Sequence, residues 1–244
     1  MSSERLTALQ QNICRWINHS LGRIIPASCI LCGDKASDLP LCNGCIDSLP
    51  VSPHSCPRCA YPLSTTTICG RCLQHPPEQT SSFSLLLYQY PVDRLIADMK
   101  YHHKIYLGNF FAQLMSQQLI LRPLPQALIP VPLHDKRLRT RGYNQSVELS
   151  RALSLRLNIP TLTHHISRIK NTFPQAQLPY KKRKQNLKGA FFLEKADIPP
   201  HVAIIDDVLT SGHTVNAVAR VLRQAGATDI EVWTIARAVH LRKD

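Results

Sequence analysis

The 244-residue sequence lacks any apolar run near the roughly 18 residues that a membrane-spanning helix needs. Its N-terminus also lacks the continuous apolar segment of a signal peptide. Apolar residues between Leu6 and Ile25 instead recur at the spacing of one helix face, which predicts an amphipathic packing helix within residues 1–28. We therefore expect a cytoplasmic protein without a membrane span. A membrane-surface helix is the alternative, but the strongly basic face that it needs is missing.

Acidic residues are scarce, since 16 Asp and Glu stand against 29 Lys and Arg, and the net charge is +13. Residues 133–190 hold thirteen of the basic residues and only Asp135 and Glu148 as acids, a net +11. Such a segment attracts polyanions, either nucleic acid or a polyphosphate substrate, although a solvated basic face has the same composition. The aromatic residues of this segment are Tyr143, Phe173 and Tyr180. Because so few aromatic rings are present to stack on bases, we expect this segment to bind a single strand by charge alone, with little sequence preference.

Cysteine is abundant in one place only: eight of the nine cysteines lie within residues 29–72, as four pairs with two residues between partners. Two such pairs complete a tetrahedral four-cysteine site, so eight thiols predict two zinc ions. The ligands are Cys29, Cys32, Cys42, Cys45, Cys56, Cys59, Cys69 and Cys72. The sequential pairing is the simplest, and an interleaved one stays open. Disulfides would need an oxidising compartment, and the regular spacing does not favour an iron–sulfur cluster. We expect a double zinc-ribbon module over residues 29–75.

The chemically most informative stretch is residues 202–214. Four apolar residues predict a short buried strand, and Asp206 and Asp207 stand at its carboxyl end. A small-residue loop follows and leads into apolar residues at helical spacing that end at Gly226. The loop residues are Thr210, Ser211, Gly212, His213 and Thr214. Because free N–H groups and the helix dipole favour an anion there, we expect phosphate on the loop and ribose hydroxyls on the acid pair. The order resembles the phosphoribosyl pyrophosphate (PRPP) signature of type I phosphoribosyltransferases.

The remaining pattern predicts an α/β domain with strands near residues 83–90, 163–169 and 230–236 and helices within 92–119 and 145–157. Lys100, His102, His103 and Lys104 interrupt the first helical region. They fit a solvated turn or a phosphate contact, and the sequence favours the turn. Prolines in residues 127–133 favour the end or the edge of a strand.

The basic loop 134–146 follows directly, beyond a strand end, where open parallel sheets bind ligands. The polar insertion 170–189 is long enough to be functional or disordered, and 191–193 suggest a β-ribbon around it.

These motifs together resemble the ComF family of bacterial competence proteins, which includes GntX-type homologues linked to the use of DNA as a nutrient. The resemblance covers about residues 29–237 and rests on the cysteine pairs, Val131-Pro132-Leu133, Arg141-Gly142-Tyr143-Asn144-Gln145 and the acid pair with its loop. It also includes Arg168, Thr172, Gln175, Arg183 and Asn186. It implies a type I phosphoribosyltransferase fold, a mostly parallel sheet flanked by helices, over residues 83–240.

Transferred by position, the resemblance assigns PRPP to Asp206, Asp207 and residues 210–214, with Mg2+ bridging pyrophosphate and ribose oxygens. The pyrophosphate loop and the catalytic flap would comprise Arg137, Arg139, Arg141, Gly142, Asn144, Gln145, Arg168, Thr172, Gln175, Arg183 and Asn186. The family implies a cytoplasmic role in handling incoming single-stranded DNA, with DNA-uptake or helicase proteins as partners. Two functions follow, which can coexist: an Mg2+-dependent phosphoribosyltransferase with an unidentified acceptor, or a non-catalytic nucleic-acid-binding adaptor that uses the basic loops and zinc ribbons. A third option is that the ribbons serve only as a folding scaffold or a partner-docking surface.

Overall fold

The structure is a computed structural model, and it describes residues 28–36, 39–170 and 189–239. The N-terminal amphipathic helix predicted above lies outside these ranges. Among the described helices, none combines the length and the apolar character needed to cross a membrane. Contacts divide the chain into two compact units, Met1–Leu49 and Pro50–Asp244. The last two cysteine pairs therefore belong to the same unit as the sheet.

The first unit contains two cysteine knuckles and the short helix α1 (Asn43–Asp47). An isolated antiparallel bridge joins Ser28 to Lys35 around the first knuckle. Within that knuckle the Gly33 amide donates to the Cys29 carbonyl at 2.9 Å. Cys42 stands at the N-cap of α1, so the second knuckle leads directly into the helix.

The second unit is built on a four-stranded, wholly parallel sheet with the order β1-β6-β5-β2, together with a separate antiparallel ribbon of β3 and β4. The strands are β1 (Ser81–Leu87), β2 (Ala127–Pro130), β3 (Ile166–Arg168), β4 (Phe191–Leu193), β5 (His201–Leu209) and β6 (Asp229–Arg237). β5 and β6 are central and largely buried, as expected of strands that are covered on both faces. β2 lies at an edge, as its prolines predict.

Six helices of the second unit are described: α2 (Gly70–Gln74), α3 (Val92–Tyr101), α4 (Tyr106–Leu119), α5 (Asp135–Arg141), α6 (Gln145–Leu157) and α7 (His213–Gln224). α6 contacts β2 and β5, and α4 packs against α6. α7 buries Val215, Val218 and Leu222 in the same cluster as Ile204 and Val232 of the central strands. Helices thus flank the sheet, and the predicted α/β fold with a cysteine-rich N-terminal region is confirmed.

Three differences between the predicted and the observed elements bear on the site. The expected strand 202–205 extends to Leu209, so the acid pair lies inside β5 rather than after it. Part of the basic loop forms α5, because the His134 ring caps its start and Gly142, at φ +81°, ends it in a left-handed conformation. The turn predicted at 100–104 holds for residues 102–104, but Lys100 is helical. The predicted ribbon around the insertion is present as β3 and β4, with its tip outside the described residues.

Candidate functional site

Each half of the cysteine-rich region brings four thiols together. In the first unit, the sulfurs of Cys29, Cys32, Cys42 and Cys45 all lie within 4.8 Å of one another. The Cys32 and Cys42 sulfurs are 3.6 Å apart. Four thiolates bound tetrahedrally at a Zn–S distance of about 2.3 Å would be separated by about 3.8 Å, so this set fits zinc.

The second set, Cys56, Cys59, Cys69 and Cys72, has the same geometry. Here the Cys59 and Cys69 sulfurs are 3.7 Å apart, and the Cys69 amide approaches the Cys56 sulfur at 3.4 Å. Cys69 stands at the N-cap of α2, as Cys42 does at that of α1. The structure thus groups the cysteines in the sequential pairing, and both sites support structural zinc.

The two adjacent carboxylates of β5 have different partners, because successive strand residues point to opposite faces. Asp207 forms an ion pair with Lys100 at 2.8 Å, with side-chain exposures of 12% and 20%. The Asp206 carboxylate accepts from the Ser146 hydroxyl at 3.2 Å and from the Asp207 amide at 2.9 Å. Lys100 comes from the last turn of α3 and Ser146 from the first turn of α6. Three elements therefore converge on the acid pair.

The electrostatics of the acid pair follow from its burial. Loss of solvation raises the pKa of the Asp206 carboxyl to about 7, and the adjacent Asp207 adds to the increase, while Lys100 and the two donors oppose it. Burial alone would lower the pKa of Lys100, but the Asp207 carboxylate outweighs it and the pKa is raised. Lys100 is therefore a fixed positive charge beside a carboxyl that titrates near neutral pH.

The loop after β5 turns into α7 at Gly212, whose φ of +81° is a left-handed conformation that favours glycine. α7 then begins at His213, so its first N–H groups belong to the loop predicted to hold phosphate. Thr210, His213 and Thr214 are partly buried, and Ser211 is buried. The Ser211 carbonyl accepts from Arg71 of the second zinc ribbon at 3.1 Å.

A cavity of about 510 Å3, here called the basic pocket, is lined by Lys100, Tyr101, His103, Lys136, Arg137, Thr140 and Arg141. Burial lowers the pKa of Arg137, and nearby Arg141 lowers it further. The Arg141 guanidinium donates to the Gln145 side chain at 2.7 Å and lies 5.2 Å from the centre of the Tyr101 ring. The pocket therefore concentrates cations around the residue that pairs with Asp207.

A larger cavity, about 760 Å3, lies between the β3–β4 ribbon and the start of α6. Gly142, Asn144 and Arg168 are among its lining residues. Asn144 caps α6 by accepting from the Ser146 amide and also donates to the Val131 carbonyl at 3.0 Å. Burial, followed by the charge of Arg137, lowers the pKa of Arg168 to about 10.

The structure brings some, but not all, of the predicted site residues together. The acid pair, Arg137, Arg141 and Gln145 lie at the carboxyl end of the sheet, whereas Arg139 is exposed and does not line the basic pocket. Four flap residues lie outside the described ranges: Thr172, Gln175, Arg183 and Asn186.

For Lys100 the sequence favoured a solvated turn over a phosphate contact, and the turn interpretation was wrong because Lys100 is helical. Sequence reasoning gave no role to Ser146. Lys100 follows Ile96 by four residues and adjoins Met99, both buried, so its place beside a core-facing stripe was the available signal.

Comparisons with known proteins agree with these features. The family model of a double zinc ribbon domain matches residues 20–73. Competence protein F of Haemophilus influenzae is 40% identical over 157 residues, which cover 61% of this chain and 69% of that protein. The DNA utilization protein YhgH of Salmonella typhi is 33% identical over 173 residues, 68% of this chain and 76% of the relative. Competence protein ComFC of Streptococcus pneumoniae is 26% identical over 157 residues, 63% and 67% of the two chains.

Among solved structures, a purine phosphoribosyltransferase from Pyrococcus horikoshii is similar at 13% identity, over 57% of this chain and 91% of that one. Its TM-score is 0.35. The fold class given above rests on the parallel sheet and its helices rather than on this likeness.

Proposed function

This chain belongs to the ComF family, and we propose that it binds PRPP or a related ribose phosphate at the carboxyl end of β5. One arrangement carries the proposal. Two carboxylates on a central parallel strand are followed directly by a glycine-turned loop at a helix N-terminus, and a cationic cavity adjoins them through Lys100.

Each part of the ligand has a matching group. Ribose hydroxyls donate to Asp206 and Asp207, and the 5-phosphate accepts from the N–H groups of residues 212–214. The pyrophosphate lies in the basic pocket, where guanidinium groups present paired donors to phosphate oxygens. A ribose hydroxyl then competes with Lys100 for the Asp207 carboxylate, which directs the ammonium group toward the pyrophosphate.

Mg2+ would accompany the ligand. The Asp206 carboxylate already accepts two hydrogen bonds and Asp207 is paired with Lys100, so pyrophosphate and ribose oxygens, with water, are the better ligands for a hard cation. When bound, Mg2+ would neutralise charge on the pyrophosphate. In a transfer reaction the bond from ribose C1 to the pyrophosphate oxygen breaks, the oxygen keeps the electron pair, and the acceptor bonds to C1. The chain positions these groups and stabilises the leaving charge.

The names of the relatives support a biological context. Because they are a competence protein and DNA utilization proteins, we propose that this chain acts in the handling of incoming single-stranded DNA in the cytoplasm, alongside DNA-uptake or helicase partners. The acceptor would then derive from the nucleic acid or its nucleotides.

Calorimetry with PRPP and Mg2+ tests the site. The variant Asp206→Asn with Asp207→Asn keeps the shape of the pair but loses its charge, and we expect it to abolish the binding heat of the wild type. Asp98→Asn is the matched control, since Asp98 also pairs with a lysine: Lys104, which is close to Lys100 in the sequence, lies 2.7 Å from it. Equal binding by wild type and double variant would exclude the site.

A second function, that of a nucleic-acid-binding adaptor, is favoured by exposed tyrosines, one of which lines the basic pocket. The exposed rings are Tyr88, Tyr90, Tyr101 and Tyr106. Tyr101 lines the pocket, and Arg141 lies over its ring. α3 therefore adds a stacking group to a basic segment that has only three aromatic residues of its own.

Fluorescence anisotropy with a labelled single strand tests this function. Log affinity should fall with log salt concentration by about 0.7 per phosphate contacted. Tyr101→Ala should weaken binding at every salt concentration without changing that slope, whereas Lys136→Ala should reduce the slope. Absence of a complex at low salt would exclude the adaptor.

A further inference from the structure

A buried arginine joins the second cysteine site to the loop after β5. Arg237 is the last residue of β6 and is 4% exposed. Its Nε donates to the Cys59 carbonyl at 2.8 Å, and its Nη1 donates to the Leu209 and Thr210 carbonyls at 2.7 and 2.5 Å. One guanidinium group therefore donates at once to Cys59, a predicted zinc ligand, and to the last residue of β5 and the first residue of the following loop.

The same knuckle is held by the start of β1. The Ser82 amide donates to the Pro57 carbonyl, and the Ser82 hydroxyl donates to the Arg58 carbonyl, both at 2.8 Å. With Arg237 on Cys59, three successive carbonyls of the knuckle accept hydrogen bonds from the sheet. The second cysteine site is thus attached to the sheet through its backbone. A bound metal would restrain the conformation of that same backbone.

The loop has a matching run of satisfied carbonyls. Those of Leu209 and Thr210 accept from Arg237, and that of Ser211 accepts from Arg71, which lies on α2 between two cysteine ligands. A carbonyl oxygen turned toward an anion would repel it, whereas N–H groups attract it. Because these three successive carbonyls are held toward the second cysteine site, the N–H groups that follow them, at the start of α7, are left for an anion.

We propose that the second cysteine site, acting through Arg237 and Arg71, positions the loop after β5 for anion binding, and that the first site does not share this role. Arg237 and Arg71 are positioning residues that contact the loop rather than the ligand. The identity of the anion rests on the proposed function, but the restraint of the loop does not.

Amide hydrogen exchange of the full chain measures the restraint directly. Cys42 and Cys69 are matched, since each is the third cysteine of its set and the N-cap of a five-residue helix. Cys69→Ser should speed the exchange of residues 209–214 about tenfold, as expected when a charged hydrogen-bond contact is loosened. Cys42→Ser should lower zinc content equally and leave these amides unchanged. Equal effects of both variants on the loop, or no effect of Cys69→Ser, would overturn the proposal.

A surface variant gives the same test if Cys69→Ser does not fold. Arg71→Ala removes the Ser211 contact from an exposed side chain, and Arg71→Lys should restore part of the protection. Arg220→Ala is the control, because Arg71 and Arg220 line one cavity beside Ser211 and Gly212 but Arg220 pairs with Glu78. Faster exchange after Arg71→Ala, with an unchanged melting temperature, supports a positioning role, and unchanged exchange refutes it. A wild type that binds no PRPP would defeat the proposed function alone, because exchange needs no ligand.

Discussion

The ion pair between Lys100 and Asp207 provides a quantitative test of the site. Lys100→Met keeps the length and packing of the side chain but removes its charge. Breaking an exposed ion pair costs about 0–1 kcal/mol and breaking a fully buried one about 3–5 kcal/mol. With side chains 20% and 12% exposed, this pair lies between the two limits. We therefore expect a loss of about 2 kcal/mol in the free energy of unfolding, since Asp207 is left unpaired beside Asp206.

The expected changes are measurable in two assays. About 2 kcal/mol lowers the melting temperature of a chain of this size by about 4–8 °C in scanning calorimetry. If Lys100 also contacts the pyrophosphate, the variant loses a charged hydrogen bond of about 1.5–3 kcal/mol, which weakens PRPP binding about 10- to 140-fold in titration calorimetry.

Lys104→Met separates the site from ion pairing in general. Lys104 pairs with Asp98 at 2.7 Å, with side-chain exposures of 38% and 13%. The Lys104→Met variant should lose no more than about 1 kcal/mol in the free energy of unfolding and should bind PRPP as the wild type does. If Lys100→Met bound PRPP unchanged, or if both variants weakened it equally, Lys100 would have no part in the ligand site.

Two further predictions concern the acid pair and its loop. The pKa of Asp206 is raised to about 7, above its unfolded value, so the folded chain holds the proton more tightly and stability declines as pH rises from about 4 to 7. Asp206→Asn, which stays neutral, should flatten this part of a melting-temperature profile between pH 5 and 8, whereas Asp98→Asn should not, because the pKa of Asp98 is lowered by Lys104 and then His102. An unchanged slope in Asp206→Asn would contradict the assignment. Gly212→Ala meets no atom within 4 Å, so only its φ of +81° opposes the substitution, at about 1–2 kcal/mol. Calorimetry should show that loss together with weaker PRPP binding, and full retention of both would show that the loop tolerates another conformation.

The features that the sequence predicted correctly are those encoded by residues close together in the chain. The cysteine spacing predicted two four-thiol sites, and the apolar run before Asp206 predicted the central strand. Helix α6 was predicted with its observed limits, because Asn144 caps one end and the apolar positions repeat every three or four residues.

The features that were missed depend on contacts distant in sequence. Lys100 and Asp207 form an ion pair although they lie on α3 and β5, more than 100 residues apart in the sequence. Arg237 reaches Cys59 because β6 pairs with both β1 and β5. A charged residue ending an apolar run was visible at Arg237, but its partners are backbone carbonyls, which no sequence pattern identifies.

The charges around the acid pair limit what the site can bind. Two carboxylates lie beside Lys100, and the basic pocket continues from Lys100 to Arg137 and Arg141. A neutral sugar could use the carboxylates but would leave these cations unmatched. A simple phosphate could use the cations but not the carboxylates, which would repel it. A ligand with hydroxyls on one side and several negative charges a few atoms away satisfies both groups, and a ribose that carries a pyrophosphate has this arrangement. The neighbouring carboxylates and cations therefore favour a phosphorylated sugar over either component alone.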